Sequence, residues 1–390
     1  MKNAITAGAA LLLTSSLAQA GGLDRSGNPY SVLFEDGNYV QLSFSAAKPD
    51  VSGSYDESVP SLGTGSTGNM AESYASAGIA LKYAVNDKLD LALFYNSPFG
   101  ADALYGAGFY DGLQATWDTT QITALAKYQA APGISVYGGL RGIQSQAKIT
   151  LPDSLVRLRL QGAALAGSTA AGTILANNPT SGLEYNAETE SNMQVGYVIG
   201  AAYERPEIAL RVALTYESGV THDFDTSETL VGIGVNDAQS TTDIQLPQSI
   251  ALDFQSGVAA DTLVFGTIKW TEWSVWEVRP AEYVALTGQE VTGIDNDVMT
   301  YRIGVGRRIN DAFSAFGRVT YEKSDGGVSS RLSPTDGSVS YGVGGSYTVD
   351  NMKITAGVEY ALLGDAKDST NVVFSDNSAL GFGMNVGFSF

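Results

Sequence analysis

The chain has no cysteine and a single histidine, His222, among 390 residues. The first absence removes disulfides and thiolate metal sites. The second leaves too few imidazoles for a histidine metal cluster and gives little support to a Ser-His relay; His222 reads as a surface residue in a loop after a strand. No metal site and no cofactor are expected. Basic residues are scarce, 22 against 41 acidic ones, for a net charge of −19, which argues against nucleic acid as a partner. Charge is sparse overall at 16%, below the roughly 25% of soluble domains. Long apolar runs are missing as well. After the first twenty residues nothing approaches the roughly 18 consecutive apolar residues of a membrane helix. A membrane location would therefore require a closed β-barrel, the other structure that satisfies its backbone inside lipid.

What is present points that way. Lys2, the apolar "AITAGAALLL" and the small-residue site "LAQA" ending at Ala20 read as a secretory signal peptide over residues 1–20. Strict alternation follows. In "ALGFGMNVGFSF", Leu380, Phe382, Met384, Val386, Phe388 and Phe390 share one face, with Gly, Asn and Ser on the other. "GSVSYGVGGSYTV" and "MKITAGVEYAL" repeat the pattern. Such runs predict fourteen strands, near 39–48, 72–85, 88–97, 115–130, 133–150, 192–204, 207–221, 242–257, 262–278, 298–309, 313–324, 337–349, 352–363 and 378–390. Six tight turns alternate with seven long loops, the spacing of an even-stranded antiparallel barrel with both termini at the periplasmic end. Tyr83, Tyr128, Tyr203 and Tyr347 precede short turns, and Tyr95, Tyr216, Tyr321 and Tyr360 lie near long loops, implying two aromatic girdles.

The fold class read here is all-β, a 14-stranded transmembrane β-barrel over 39–390, preceded by a short N-terminal segment over 21–38. The expected setting is the outer membrane of a Gram-negative cell, with a monomeric barrel among outer-membrane lipids and lipopolysaccharide. The terminal Phe388 and Phe390 read as a signal for barrel-assembly machinery.

Four stretches carry a resemblance. "KWTEWSVWEV" resembles a Trp-Thr-x-Trp-Ser strand, "IQLPQSIALDF" the Leu-Pro strand before it, "QAKITLPDSL" an Ala-Lys-Ile strand end opening a long loop, and "GNPYSVLF" an Asn-Pro-Ala element. In this order they resemble the FadL-type outer-membrane transporters of long-chain fatty acids and aromatic hydrocarbons (OMPP1/FadL/TodX). That resemblance implies passive import, with capture between loops, binding in the lumen, an N-terminal hatch as plug and lateral exit at a kink in the third strand. The hatch here would be short, with Gly27, Asn28, Pro29 and Tyr30 as its matching element. The kink maps to Ser97, Pro98, Phe99 and Gly100. Pro98 removes a ladder donor and Gly100 weakens pairing, so the strand either bends there or simply ends.

An apolar cargo needs a groove, an apolar pocket and, for a carboxylate head, a lumen cation. Leu155 and Leu158 recur at helical spacing with Leu165 in the loop after residue 150, alongside Arg157 and Arg159; that helix is either a capture groove or rim packing. Lys148 matches the family's Ala-Lys-Ile position, and Arg279 lies one residue out of register with its basic position; both read either as head-group cations or as rim charges. Alternation puts Trp270 and Trp276 on one face and Trp273 on the other, making Trp273 the lumen candidate. A general porin, a structural barrel and a lipid hydrolase are the competing functions, the last resting on His222 alone.

Overall fold

The computed structural model describes residues 23–55 and 63–390; residues 1–20, expected to be a signal peptide, and the first two residues of the N-terminal segment, Gly21 and Gly22, lie outside the described residues. Fourteen long antiparallel strands close on themselves. They are β1 Tyr39–Asp50, β2 Tyr74–Asn86, β3 Leu89–Asn96, β4 Gln114–Ala131, β5 Ile134–Leu151, β6 Asn192–Arg205, β7 Leu210–Glu217, β8 Ser249–Ala259, β9 Thr262–Thr271, β10 Val298–Arg308, β11 Phe313–Glu322, β12 Ser338–Val349, β13 Met352–Leu363 and β14 Ser378–Ser389. Each pairs with the next, and β1 meets both β2 (Leu42↔Ile79) and β14 (Val40↔Phe388), which removes the open edge.

Parity decides the two faces. Leu91, Leu93 and Tyr95 face outward on β3, with Ala92, Phe94 and Asn96 buried between them. Tyr83, Tyr128, Tyr203 and Tyr347 are all exposed on the outer face, as are Tyr95, Tyr321 and Tyr360 toward the long loops. Tyr216 is half-buried, with its hydroxyl bonded to Gln248 (2.7 Å). The inner wall of β10–β13 is polar: Arg318 pairs with Glu359, which also accepts the Ser340 hydroxyl, and Thr300 donates to Glu322 (2.7 Å).

Several boundaries differ from the expectation, among them the strands expected over 207–221 and 242–257, which are interrupted after Glu217 and after Leu246. The stretch expected as a loop at 222–241 is mostly a β-hairpin, Val220–Leu230 against Val235–Leu246, which also pairs with Tyr185–Thr189 and extends the wall outward. His222 is thereby a fully buried strand residue, stacked on Phe224 with Nδ1 3.0 Å from Asn192 Oδ1, rather than a surface residue in a loop. β9 ends at Thr271, where a single turn at Trp273–Val275 breaks the alternation expected to run to residue 278. β3 stops at Asn96 and a short strand resumes at Gly100–Leu104.

Candidate functional site

The interruption of β3 opens a window in the wall. The β2–β3 ladder ends at Ile79↔Tyr95. On the other side β3 pairs Asn96 with Gln121 and then Gly100 with Asp118, so Ser97, Pro98 and Phe99 span what Thr119 and Thr120 span opposite. That is a bulge, the expected response to a proline that cannot donate to a ladder. Pairing with the β2 side resumes further out, where Glu72 donates to Asp102 O (3.1 Å) and Leu104 to Met70 O (2.8 Å). Between those limits β2 and β3 exchange no backbone bonds.

The N-terminal segment supplies what β2 does not. Arg25 N donates to Pro98 O (2.8 Å), Gly100 N donates to Leu23 O (2.8 Å), and the Ser26 hydroxyl donates to Ser97 O (2.6 Å). Unpaired buried backbone groups are costly, so this short stretch satisfies the broken strand. The Arg25 guanidinium pairs with Asp102 and lies 4.3 Å from the Tyr74 ring centroid, crossing from the outer part of the third strand to β2. Gly100 makes room for it: a Cβ there would sit 2.5 Å from Arg25 Nε.

Deeper in the lumen the segment is anchored by charge. Asn28 Nδ2 and the Tyr30 hydroxyl each donate to Glu217 Oε1 at 2.9 Å, while Arg141 Nη1 holds Glu217 Oε2 at 2.6 Å. Asn28 Oδ1 accepts from Gln121 (2.8 Å) and Asn96 (3.1 Å). The single turn Tyr30–Phe34 buries Val32 and Leu33 against Ala80, Phe94, Leu125 and Val198. Lys127 Nζ donates to Leu33 O and Lys82 Nζ to Glu35 O, both at 2.6 Å. Gly27 and Pro29 border a small recess at the window with Gly78 and Tyr95. Burial pushes the Asp24 carboxyl above its ordinary range, with Lys269 nearby acting the other way.

Outward of this segment lies an apolar cavity of ≈ 70 Å³, several times the roughly 10–15 Å³ that holds one water. Leu23, Trp117, Ile244 and Trp276 form its walls, with small Ala101, Ala103 and Ala115 between. Phe99 of the window packs edge-on to Trp273 (5.7 Å), itself fully buried in the neighbouring apolar cluster.

The structure redistributes the sequence candidates. Lys148 borders the cavity, but its side chain is 51% exposed and paired with Glu188 at 3.5 Å. Its parity is opposite to that of the buried Ile143 and Ile149, so it is not a lumen cation. Arg279 is also outside, between Glu277 (3.5 Å) and Glu290 (3.2 Å). Helices α1 (Asp153–Leu165) and α2 (Thr169–Asn177) fold over the rim. Leu155 is buried beneath α1, and Arg157 holds Asp153 (2.9 Å) and Asn178 O (2.7 Å), so neither faces a groove. Leu158 and Arg159 do line one, an open groove of ≈ 740 Å³ shared with Thr287, Gln289 and Thr370. Trp276, expected on the face opposite Trp273, is buried with it, because the turn at Trp273–Val275 resets the parity. Sequence reasoning missed Trp117 and the Arg141–Glu217 pair. The inward phase of Arg141 with Tyr137 and Ile143 was its only local signal.

Phe388 is half-buried on β14, and Phe390 is 71% exposed, its N–H bonded to Asn38 O (3.1 Å).

Comparison with curated proteins finds no significant match. Solved structures share the fold: a Pseudomonas aeruginosa FadL homologue (TM-score 0.71, 14% identity, 98% of this chain and 96% of that one) and the Pseudomonas putida toluene transporter TodX (0.63, 15%, 97% and 99%). The Ralstonia pickettii toluene transporter TbuX is similar (0.60, 14%, 93% and 92%). The family model "Outer membrane protein transport protein (OMPP1/FadL/TodX)" matches residues 6–390. The chain therefore belongs to the OMPP1/FadL/TodX family and is an outer-membrane β-barrel transporter of hydrophobic compounds, not an enzyme.

Proposed function

We propose that the protein imports hydrophobic compounds passively. Cargo enters at the groove beside Leu158 and Arg159, rests in the cavity between Trp117 and Trp276, and leaves sideways into the membrane through the β3 window. One observation carries the reading: Leu23 lines the cavity while its carbonyl bonds Gly100 in the window. Filling the one therefore acts on the strand that closes the other. The segment from Gly27 to Tyr30 is the hatch of this mechanism, and Ser97 to Gly100 its lateral gate.

Long-chain fatty acids and aromatic hydrocarbons are the two cargo classes to separate. The outward positions of Lys148 and Arg279 favour a neutral molecule, since a buried carboxylate without a cation is costly. The toluene cargo named for two fold relatives is of that kind. The polar wall of β10–β13 favours a second reading, passage of small polar solutes.

The experiment is uptake of labelled toluene, a labelled long-chain fatty acid and a labelled sugar by cells with and without the protein. Uptake of toluene raised by the protein supports the proposal. Equal uptake of both hydrophobic probes with and without it sinks the proposal, and a gain confined to the sugar establishes the porin reading.

A further inference from the structure

The two tryptophans of the cavity differ in one respect. Trp117 donates its indole N–H to Thr119 Oγ1 at 2.8 Å. Trp276, only 7% exposed and set edge-to-face with Trp117 at 6.1 Å, has an indole N–H with no hydrogen-bond partner among the described residues. A buried donor left unpaired is unfavourable and rare enough to require a reason.

The other polar side chains of the lining are few, and among the described residues the hydroxyls of Thr116 and Ser333 are the ones with no bond in the wall. Four of its lining hydroxyls are already engaged: Thr189 Oγ1 accepts from Ala147 N (2.9 Å), Thr226 donates to Thr242 (2.9 Å), and Thr292 is shared with Ser330 (2.5 Å). Among the described residues no carboxylate lines the cavity, and the one cation bordering it, Lys148, pairs with Glu188 on the outer face. The site thus presents a largely apolar, aromatic surface with no free charge, and Trp276 carries its unpaired indole N–H.

We propose that the cargo is a neutral hydrophobic molecule bearing one hydrogen-bond acceptor, such as an aryl ketone, ester or ether, and that Trp276 is the residue that selects for it. The inference rests on the cavity being the cargo site. Occupation satisfies the indole N–H and leaves the rest of the molecule against Leu23, Ile244 and Trp117. A carboxylate is rejected because no cation meets it. A plain hydrocarbon is admitted but leaves the donor orphaned, so the preference is one of degree.

The test is competition for an apolar fluorescent probe by three compounds of similar size, using purified full-length protein in detergent. Acetophenone is expected to bind about 3- to 10-fold more tightly than ethylbenzene, the worth of one neutral hydrogen bond, with benzoate weakest. Trp276→Phe should bring the ratio of acetophenone to ethylbenzene affinity close to one, whatever the change in wall area does to both. Should that variant fold poorly, benzothienylalanine at position 276 keeps the indole's shape without its N–H. Equal binding of the two neutral compounds by the unaltered protein overturns the inference and leaves the transport proposal standing, as does a preference that survives removal of the N–H. Failure of both neutral compounds to compete removes the cavity as cargo site, and the inference with it.

Discussion

Arg25 and Asp102 are paired across the window, with the guanidinium laid against Tyr74 of β2 and over Gly100. One residue of the N-terminal segment thus bridges the two sides of the barrel wall where they exchange no backbone hydrogen bonds. Gly100→Val should expel Arg25, since a Cβ would stand 2.5 Å from its Nε, and Asp102→Asn should weaken the same contact without crowding it. The chain has no cysteine, so a Gly27→Cys variant carries one thiol. Its labelling rate should rise several-fold when either substitution is added, and an unchanged rate would show that Arg25 does not hold the segment.

A second anchor lies deeper. Arg141 is fully buried and its partner Glu217 binds both Asn28 and Tyr30. Removing one member of such a pair leaves an uncompensated charge, at a cost of about 3–5 kcal/mol. Glu217→Ala should therefore lower thermal stability and also free the N-terminal segment. Glu217→Gln keeps an acceptor for Asn28 and should be milder on the segment than on Arg141. Thermal melts paired with thiol labelling in the Gly27→Cys background separate the two effects; labelling that stays at the parent rate in both variants would remove Glu217 from the docking role.

The barrel was legible because its signal is local. Each strand must turn apolar side chains to lipid, and that requirement writes a period of two into every segment, down to Phe382 and Phe388. The outer hairpin lacked this signal, since His222, Thr226 and Glu228 are buried on its inner face and polar residues alternate with polar ones. Lys148 stood open between a head-group cation and a rim charge, and its exposed pair with Glu188 makes it the second. Parity with Ile143 and Ile149, both buried, would have separated the two readings. The contacts of the N-terminal segment were beyond reach, because Asn28 and Glu217 are 189 residues apart. Trp276 went astray on a single irregular turn, after which alternation no longer transfers.

The Asp24 carboxyl gives the docked segment a pH dependence. Burial raises its pKa above the ordinary 3.8 despite Lys269. A carboxyl with a raised pKa binds more protons when docked than when free, so its contribution is present at low pH and is lost as pH climbs through the raised value. Labelling of the Gly27→Cys thiol should accordingly speed up as pH rises from the ordinary value through the raised one, once corrected for the thiol's own ionisation with a free-thiol standard. Asp24→Asn should flatten the corrected profile; a profile of the same shape in that variant would assign the dependence to another group.

Phe390 separates stability from assembly. Its ring is 71% exposed, and the backbone bond from its N–H to Asn38 does not need the side chain. Phe390→Ala should therefore leave the melting temperature of the folded barrel nearly unchanged, since a surface substitution of this kind is worth about 0.5 kcal/mol or less. If the terminal aromatic is the address read during insertion, the same variant should show a clear fall in the amount of barrel reaching the outer membrane, measured by heat-modifiable migration on gels. The purified fraction would still melt normally. A variant that inserts at the full level denies Phe390 the address role, and one that inserts poorly and also melts early places the residue in the fold instead.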